Sequence, residues 1–360
     1  MSEGSLRIAL VLASATVGGT EQQAALLARE LARAGDHVDV FLVDARGVVQ
    51  DFAPATLWNG DGSGPKASVR RTWRLRHRLR TGRYDIVHAV LARAHVLSPW
   101  LVRHGTPVVA WRRNLGIHLQ GRPVQARLED LASKRWDVVI SNSEPVRDYW
   151  ERRGQRGRLG LDRIIRNGIA ATRFEPVDPA DLAGELPLLV SVGNLRPVKA
   201  HPVAIDVAAA LGRRGMPVRL AIIGEGRDRA ALTAYANERD VDLLLPGHLA
   251  DTRPWLAAAD CCLHTATTEG SSNAVAEALA AGRPVVSTDV GDAAQLLPSQ
   301  WLATVGDVDG LAAAVTGILI DPASARAEAH VRRSLLITQR GVGAFVAEHR
   351  ALYTHLKERS

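Results

Sequence analysis

The sequence is poor in cysteine. Its 360 residues include only two cysteines, the neighbours Cys261 and Cys262. Adjacent residues of a strand point to opposite faces, which disfavours a disulfide between these two thiols. We therefore expect a chain that folds without disulfides, as proteins of the reducing cytoplasm do.

Long apolar runs are also missing. No stretch of about 18 apolar residues occurs, so the sequence predicts no membrane-spanning helix. The first apolar segment, Ile8 to Ala15, is short and lacks the basic start of a secretory leader. We expect it to be a buried first strand that ends before Gly18 and Gly19.

Acidic residues are outnumbered by basic ones, 38 against 45, which gives a formal charge of +7. Only four of the basic residues are lysines, so arginine dominates. This excess suits anionic substrates, nucleic acid or an anionic membrane surface without choosing among them. Aromatic residues make up 4% of the chain, and no nucleic-acid-binding signature occurs, so we expect no nucleic acid partner.

Short apolar runs alternate with longer amphipathic segments, except for a Gly-, Pro- and charge-rich break between residues 153 and 184. This rhythm is typical of parallel sheets with crossover helices. The length and the 46% hydrophobic content allow two full cores. We predict two doubly wound α/β domains, residues 1–170 and 180–335, joined at that break. The predicted strands are 7–14, 37–43, 85–91, 107–111, 137–141, 187–193, 218–224, 241–246, 261–265 and 284–288.

The most informative segment is E-G-S-S-N-A-V-A-E, from Glu269 to Glu277. Ser271, Ser272 and Asn273 are residue types that cap helix starts, and Gly282 marks the end of the helix. A helix start offers unpaired backbone N–H groups and a positive dipole end, which suit a phosphate. Carboxylates on either side can accept hydrogen bonds from sugar hydroxyls. The segment therefore predicts a nucleotide-sugar site.

Two cations follow another predicted strand. The strand ends at Gly193, and Arg196 and Lys199 lie on the loop behind it. Cations in that position can neutralise a diphosphate leaving group, although solvated loop charges are the ordinary alternative. Lys199 is one of only four lysines, which favours a role for it.

These motifs together resemble glycosyltransferase family 4. The residues that match the family pattern are Val192, Gly193, Lys199, Gly247, Asp260, Glu269, Gly270, Glu277, Ala278, Gly282 and Pro284. In the first half, R-I-A-L-V at 7–11, G-G-T-E at 18–21, S-N-S-E-P-V at 141–146 and N-G-I at 167–169 resemble family landmarks.

The resemblance implies the GT-B fold, in which two Rossmann-like domains face each other across a cleft. It implies that the first domain lies on the acceptor side and that a last helix within 340–360 packs back on it. It also implies transfer of a sugar, with retention of configuration, from a nucleoside-diphosphate sugar to a hydroxyl acceptor. A UDP-sugar is the favoured donor, and neither a metal nor a further cofactor is expected.

The resemblance also assigns residues to roles. Arg196 and Lys199 hold the donor diphosphate, Glu269 faces the donor sugar, and Glu277 binds the ribose hydroxyls. Gly18 and Gly19 close on the donor phosphate from the first domain. The other expected donor-binding residues are Gly193, Asn194, Gly247, His248, Gly270, Ser271, Ser272 and Asn273.

The chain departs from the family pattern at Asn194, where Arg is common, and at Ala170 and Ala200. An acceptor-side histidine or acid is not evident. The candidates there are Arg112, Arg113 and Asn114 after the predicted strand 107–111, together with His88. The arginines suit an anionic acceptor, the donor itself or an inter-domain salt bridge, and His88 suits either function or packing.

Six arginines lie between Arg70 and Arg80 around Trp73. A helix with this pattern can lie on an anionic membrane, or it can be a solvated helix packed by its few apolar residues.

The sequence does not identify the acceptor, for which a lipid-linked molecule and a saccharide are the candidates. Alternative functions are a nucleotide-sugar epimerase or sugar phosphorylase of the same fold, or a catalytically silent nucleotide-sugar or membrane-surface binding protein.

Overall fold

The computed structural model describes residues 4–15, 18–44, 50–58, 65–182 and 184–360. The chain divides into two units. Unit 1 comprises Met1–Gly168 and Val342–Ser360, and unit 2 comprises Ile169–Gly341.

Within the described residues, unit 1 is built on a seven-stranded parallel sheet. Its strands are β1 (Arg7–Leu12), β2 (His37–Leu42), β3 (Thr56–Trp58), β4 (Ile86–Val90), β5 (Val108–Arg112), β6 (Val138–Ser141) and β7 (Arg163–Ile164). The strand order is β3-β2-β1-β4-β5-β6-β7, so the direction of winding reverses between β1 and β4. Every residue of β4, β5 and β6 is buried, as expected for parallel strands covered on both faces.

The helices that follow these strands flank the sheet of unit 1. They are α1 (Gly19–Arg33), α2 (Pro65–Thr81), α3 (Ala92–Leu101), α4 (Pro123–Ser133) and α5 (Glu144–Arg152). α1 buries Ala24, Leu27, Ala28 and Leu31, which recur at helical spacing and form one apolar stripe.

Unit 2 contains a six-stranded parallel sheet among the described residues. Its strands are β8 (Leu188–Val192), β9 (Arg219–Ile223), β10 (Asp242–Gly247), β11 (Cys261–His264), β12 (Val285–Thr288) and β13 (Leu302–Ala303). The order β10-β9-β8-β11-β12-β13 reverses between β8 and β11. Both cysteines are buried in β11 as free thiols, and burial raises the pKa of Cys262 to about 12.

Seven further helices belong to unit 2 within the described part of the chain. They are α6 (His201–Arg213), α7 (Arg229–Asn237), α8 (Arg253–Ala258), α9 (Asn273–Ala280), α10 (Ala293–Leu296), α11 (Val308–Ile320) and α12 (Pro322–Arg340). No single helix among the described residues has both the length and the apolar character to cross a membrane. One pair, α11 with α12, passes on length and composition but bends by 104° at its break.

The last helix, α13 (Val342–Glu358), belongs to unit 1. It buries Phe345, His349, Tyr353 and Leu356, which recur every three or four residues and form one stripe. The Tyr353 hydroxyl is hydrogen-bonded to Nδ1 of His88 in β4.

Several elements had no counterpart in the sequence prediction: β3, β7, β13, α3, α4 and α10. The three strands have only two or three residues, too few to show a period. In α4 the usual burial of apolar residues and exposure of charged ones is inverted, because Leu128 and Leu131 are about half exposed while Glu129 is fully buried. The segment from 155 to 168 lies in the irregular stretch 153–184 and inside the predicted first domain, 1–170; in the structure it belongs to unit 1, and it carries β7, which was not predicted.

Candidate functional site

The candidate site lies at the carboxyl edge of the second sheet, where β8 and β11 are neighbours. The winding reverses between these two strands, so their following connections diverge and leave a crevice between them. The loop after β8 carries Lys199, and the loop after β11 carries Glu269. Sheet topology therefore brings together two predicted residues that are 70 positions apart.

Threonines of the second loop hold the first loop in place. The Thr265 hydroxyl donates to the carbonyl oxygens of Lys199 and Ala200, each at 3.1 Å. The backbone N–H of Thr267 donates to the carbonyl of Val198 at 2.9 Å. Because these bonds fix the backbone around Lys199, the position of its side chain is set by the fold.

The ammonium of Lys199 donates a hydrogen bond to Oε1 of Glu269. Nε2 of His264, the last residue of β11, lies 3.5 Å from the same oxygen. Burial alone would raise the pKa of the Glu269 carboxyl, but His264 and the charge of Lys199 outweigh it and lower the pKa to about 2. Glu269 is therefore an ionised acceptor at neutral pH.

The start of α9 lies next to this pair in the chain. Ser272 is the N-cap, and its hydroxyl accepts a hydrogen bond from the N–H of Val275 at 3.4 Å. The preceding Ser271 donates its hydroxyl proton to Oδ2 of Asp292 at 2.8 Å. The Ser271 proton is thus already used, and a phosphate at this helix start would be met by backbone N–H groups.

Glu277 lies one turn inside α9 and is about one-fifth exposed. Burial raises the pKa of this carboxyl above its usual value, and the opposing charge of Arg173, whose Nη2 is 3.9 Å from Oε1, offsets only part of the rise. Arg173 also lies 3.6 Å from Oδ1 of Asp251. Sequence reasoning missed Arg173, because it lies in the Gly- and Pro-rich connection and only tertiary structure brings it to Glu277.

Most of the remaining predicted donor residues of unit 2 lie on loops, whereas Gly247 is the last residue of β10. Asn194, Arg196 and His248 are exposed. Gly247 has a φ of +88°, and a Cβ there would lie 2.8 Å from Oε1 of Glu225. Gly193 packs against the Lys199 side chain, since a Cβ on it would lie 3.4 Å from that chain.

In unit 1, Gly18 and Gly19 lie where β1 is followed by α1, at the reversal between β1 and β4. Gly18 makes room for Glu21, because a Cβ there would lie 2.5 Å from Oε2 of that carboxylate. The hydroxyl of Ser14 donates to Oε1 of Glu21 at 3.2 Å. The carboxylate of Glu21 in α1 therefore lies close to both Ser14 and Gly18.

The structure corrects the prediction for Arg112, which is 2% exposed inside unit 1. Its guanidinium donates to Oε2 of Glu129 at 2.8 Å and to the side-chain oxygen Oε1 of Gln155. It also stacks on Trp150, with 3.7 Å from Cζ to the ring centre, and lies 4.7 Å from the ring of Trp136. A side chain enclosed in this way does not face an acceptor.

For His88 the sequence left an acceptor role and packing open; the structure favours packing and corrects the acceptor-side placement. His88 is the third of five residues in β4, not its carboxyl end, and it is fully buried. Its ring packs against Trp111 and His349, at centroid distances of 5.1 and 5.9 Å. Burial lowers the pKa of His88 well below its usual range, so the ring is neutral in the core.

Arg113 and Asn114 follow β5 and are partly buried. Arg113 donates to Oδ1 of Asn167 at 2.7 Å, and its guanidinium lies 4.4 Å from the Trp111 ring. Burial lowers the pKa of Arg113 to about 9. Oδ1 of Asn114 accepts from the N–H of Gly116 at 3.0 Å.

Sequence reasoning missed His118, whose Nε2 lies 3.0 Å from Oε1 of Glu129. The histidine is one-quarter exposed, while its partner carboxylate is fully buried. Burial alone would raise the pKa of Glu129, but the hydrogen bond from His118 and the charge of Arg112 lower it to about 2. The sequence held no signal for this group, because its members come from β5, a loop and α4.

Two family models match the chain. The model for glycosyl transferases group 1 matches residues 186–321, and the model for Glycosyltransferase Family 4 matches residues 17–173. The chain belongs to glycosyltransferase family 4. The matched segments contain the loops of unit 2 and the β1–α1 loop of unit 1 described above.

Curated relatives of this family 4 chain come from bacteria. It is 27% identical over 198 residues to the lipopolysaccharide core glycosyltransferase LpsE of Rhizobium meliloti, covering 51% of this chain and 54% of that one. It is 30% identical over 198 residues to the putative colanic acid glycosyltransferase WcaL of Escherichia coli, covering 50% and 47%. The chain thus spans about half the length of these relatives.

Solved structures share the fold of this family 4 chain. Anabaena HepE in complex with UDP superposes with a TM-score of 0.80 at 18% identity, covering 97% of this chain and all of that one. Sucrose-phosphate synthase from Thermosynechococcus elongatus superposes with a TM-score of 0.79 at 19% identity, covering 98% and 100%. With the two parallel sheets, these matches confirm the predicted two-domain α/β fold of the GT-B type.

Among the residues that the structure describes, His, Cys, Asp and Glu side chains form no group of three that could hold a metal ion.

Proposed function

We propose that this chain transfers a sugar from a nucleoside-diphosphate sugar to a hydroxyl of a second substrate. One observation carries the proposal. Lys199, Glu269 and the start of α9 lie together at the carboxyl edge of the second sheet, at the point where its winding reverses. A cation, an ionised acceptor and the positive end of a helix dipole match the diphosphate and hydroxyl groups of such a donor.

Stabilisation of the leaving group carries most of the proposed catalysis. Negative charge develops on the diphosphate as the bond to the sugar breaks, and Lys199, Arg196 and the start of α9 offset it. Glu269 accepts hydrogen bonds from the sugar hydroxyls, and Glu277 accepts them from the ribose. Retention of the anomeric configuration and independence of a metal complete the proposal, supported by the family pattern at residues 191–201 and 269–288.

UDP is the favoured nucleotide of the donor. HepE, which shares the fold, has been solved with UDP and with UDP-glucose, and this supports the choice. A relative from Mycobacterium tuberculosis is described as GDP-mannose-dependent, so GDP is the competing candidate. Thermal unfolding with UDP, GDP, ADP and CDP tests the choice, since a ligand at a hundred times its Kd stabilises by about 2.7 kcal/mol.

The acceptor is proposed to be lipid-linked or a saccharide, reached from the cytoplasmic face of a membrane. Relatives named for lipopolysaccharide core and phosphatidylinositol dimannoside synthesis support this class. On α2, Trp73 is 65% exposed and Val69 is 71% exposed. The arginines between Arg70 and Arg80 surround Trp73, a composition suited to an anionic lipid surface.

Flotation with phosphatidylglycerol vesicles tests the membrane contact. Binding that disappears with phosphatidylcholine vesicles, or in a Trp73→Ala, Arg74→Glu variant, is the expected result. Equal binding by wild type and variant would remove α2 from the proposal.

The transfer itself is tested by incubating the chain with UDP-sugar or GDP-sugar, with and without an extract that contains acceptors. Donor consumption only with the extract, together with a glycosylated product, is expected. Donor turnover without acceptor product would favour an epimerase, and dependence on inorganic phosphate would favour a phosphorylase. Donor binding without any turnover would identify a catalytically silent binding protein.

A further inference from the structure

A buried ion pair in unit 2 lies next to the loop of residues 269–271, called the donor loop below. Nη2 of Arg340, the last residue of α12, is 2.8 Å from Oδ2 of Asp292. Both side chains are at most 1% exposed. The family pattern above assigns no role to either residue.

The pair is joined to the residue that precedes the cap of α9. Oδ2 of Asp292 accepts the Ser271 hydroxyl proton at 2.8 Å, and Nη1 of Arg340 lies 3.5 Å from the same hydroxyl oxygen. Ser271 is therefore held by a carboxylate and a guanidinium together. A hydrogen bond to a buried charged group is stronger than one between neutral groups, so Ser271 has little freedom to move.

The backbone around Asp292 also contacts the donor loop. Gly291 has a φ of +62°, and a Cβ there would lie 2.9 Å from the backbone carbonyl oxygen of Gly270 and 3.0 Å from that of Glu269. The loop from Glu269 to Ser271 is thus held on two sides, by the Lys199 side chain on one and by residues 291 and 292 on the other.

A buried ion pair is weak evidence for a stability role. Removing two charges from water is costly, and apolar replacements of similar volume are often neutral or stabilising. The arrangement at Ser271 points to a second role for the pair. A phosphate at the start of α9 needs backbone N–H groups held in one direction before the ligand arrives.

We infer that Asp292 and Arg340 are positioning residues for donor binding, which hold Ser271 and the start of α9 in the orientation that accepts the diphosphate. The inference rests on the proposed function. It also defines what Ser271 offers a ligand: the hydroxyl proton is committed to Asp292, so the oxygen can only accept. The Ser271 oxygen thus suits a hydroxyl group of the nucleotide sugar, from which it can accept a hydrogen bond. The phosphate would be bound by the backbone N–H groups.

The test compares the full-length protein with the charge-free double variant Asp292→Leu, Arg340→Met. We expect this variant to melt near the wild-type temperature, while its Kd for UDP or GDP rises by about tenfold or more, measured by calorimetry. The KM for the donor should rise more than kcat falls. Wild-type Kd in a variant of wild-type melting temperature would overturn the inference, since a purely structural pair predicts that result.

Two further variants keep the test decisive if the double variant fails to fold. Ser271→Ala leaves the ion pair in place and removes only the group that it holds, so the Kd should rise several-fold; an unchanged Kd contradicts the inference. Arg340→Lys keeps the positive charge but lacks the planar guanidinium. Its Kd should therefore lie between that of wild type and that of the double variant. Glu328→Ala, Arg332→Met removes a partly exposed ion pair from the same helix and should leave the Kd unchanged.

The outcomes separate the two proposals. If wild type binds neither UDP nor GDP, the proposed function fails and the inference fails with it. If wild type binds, Lys199→Ala weakens binding and the double variant binds like wild type, only the inference fails.

Discussion

Lys199 and Glu269 are ion-paired across two loops that are 70 residues apart in the sequence. The ammonium that the proposed mechanism assigns to the diphosphate is thus held by a carboxylate assigned to the sugar. A donor that arrives must share Lys199 with Glu269 or take it over. Each partner therefore affects binding and transfer differently.

Lys199→Ala should slow sugar transfer by on the order of a hundredfold or more, because the charge that develops on the leaving diphosphate loses its main cation. Steady-state kinetics with donor and acceptor measure this effect. Lys134→Ala, at the exposed lysine that directly follows α4, is the matched control and should behave as wild type. Wild-type rates in Lys199→Ala would sink the assignment of this residue.

Glu269→Gln should separate binding from transfer. The amide leaves Lys199 without its ionic partner, so affinity for the free nucleoside diphosphate should be unchanged or higher. Transfer should fall by roughly tenfold or more, because an ionised acceptor of hydrogen bonds from the sugar is lost. Calorimetry with UDP and turnover measurements report the two effects, and a parallel loss of both would contradict the shared-lysine arrangement.

Glu129→Gln should destabilise unit 1 in a pH-dependent way. The pKa of the folded Glu129 carboxyl is lowered from 4.5 to about 2, against the effect of burial, by His118 and Arg112. A group with a lowered folded pKa stabilises the fold above its unfolded pKa and loses that contribution as the pH falls through the folded value. The variant should therefore be less stable by about 3 kcal/mol at pH 7.

That difference should shrink as the pH falls from about 4.5 towards 2, in urea unfolding followed by tryptophan fluorescence. Glu151 is a 30% exposed carboxylate that pairs with Arg156 at the surface. Glu151→Gln should therefore change the free energy of unfolding much less. A Glu129→Gln difference that stayed constant down to pH 2 would show that its ionisation does not stabilise the fold.

Gly224→Ala should destabilise unit 2. Its φ is +154°, and a Cβ would lie 2.0 Å from the carbonyl oxygen of Gly193. That oxygen cannot move without displacing the loop that connects Gly193 to Lys199. We expect a loss of about 2 kcal/mol or more. Gly317→Ala is the opposite case: this exposed position in α11 has nothing within 4 Å of a Cβ, so alanine should stabilise by about 0.5–1 kcal/mol. Chemical denaturation of both variants measures the contrast.

The sequence predicted the longer strands of both sheets to within a residue or two at their ends, and it missed the short strands β3, β7 and β13. Runs such as R-I-A-L-V-L and R-L-A-I-I are apolar because parallel strands are covered on both faces. The α9 region was legible for a similar reason, since its capping residues, terminal glycine and following strand are local signals. The inverted helix α4 was not legible, because its burial follows from Arg112, not from its own apolar residues.

By itself, the sequence determined the α/β architecture, the loops that end at strand edges and the residues on them, because periodicity and capping act over a few residues. Only the tertiary structure decided which of these side chains meet. In the folded chain Lys199 pairs with Glu269, and Arg173 lies close to Glu277. Arg112 and His88 are buried. Strand order sets these neighbours, and strand order depends on how distant apolar faces pack against each other, which no local pattern encodes.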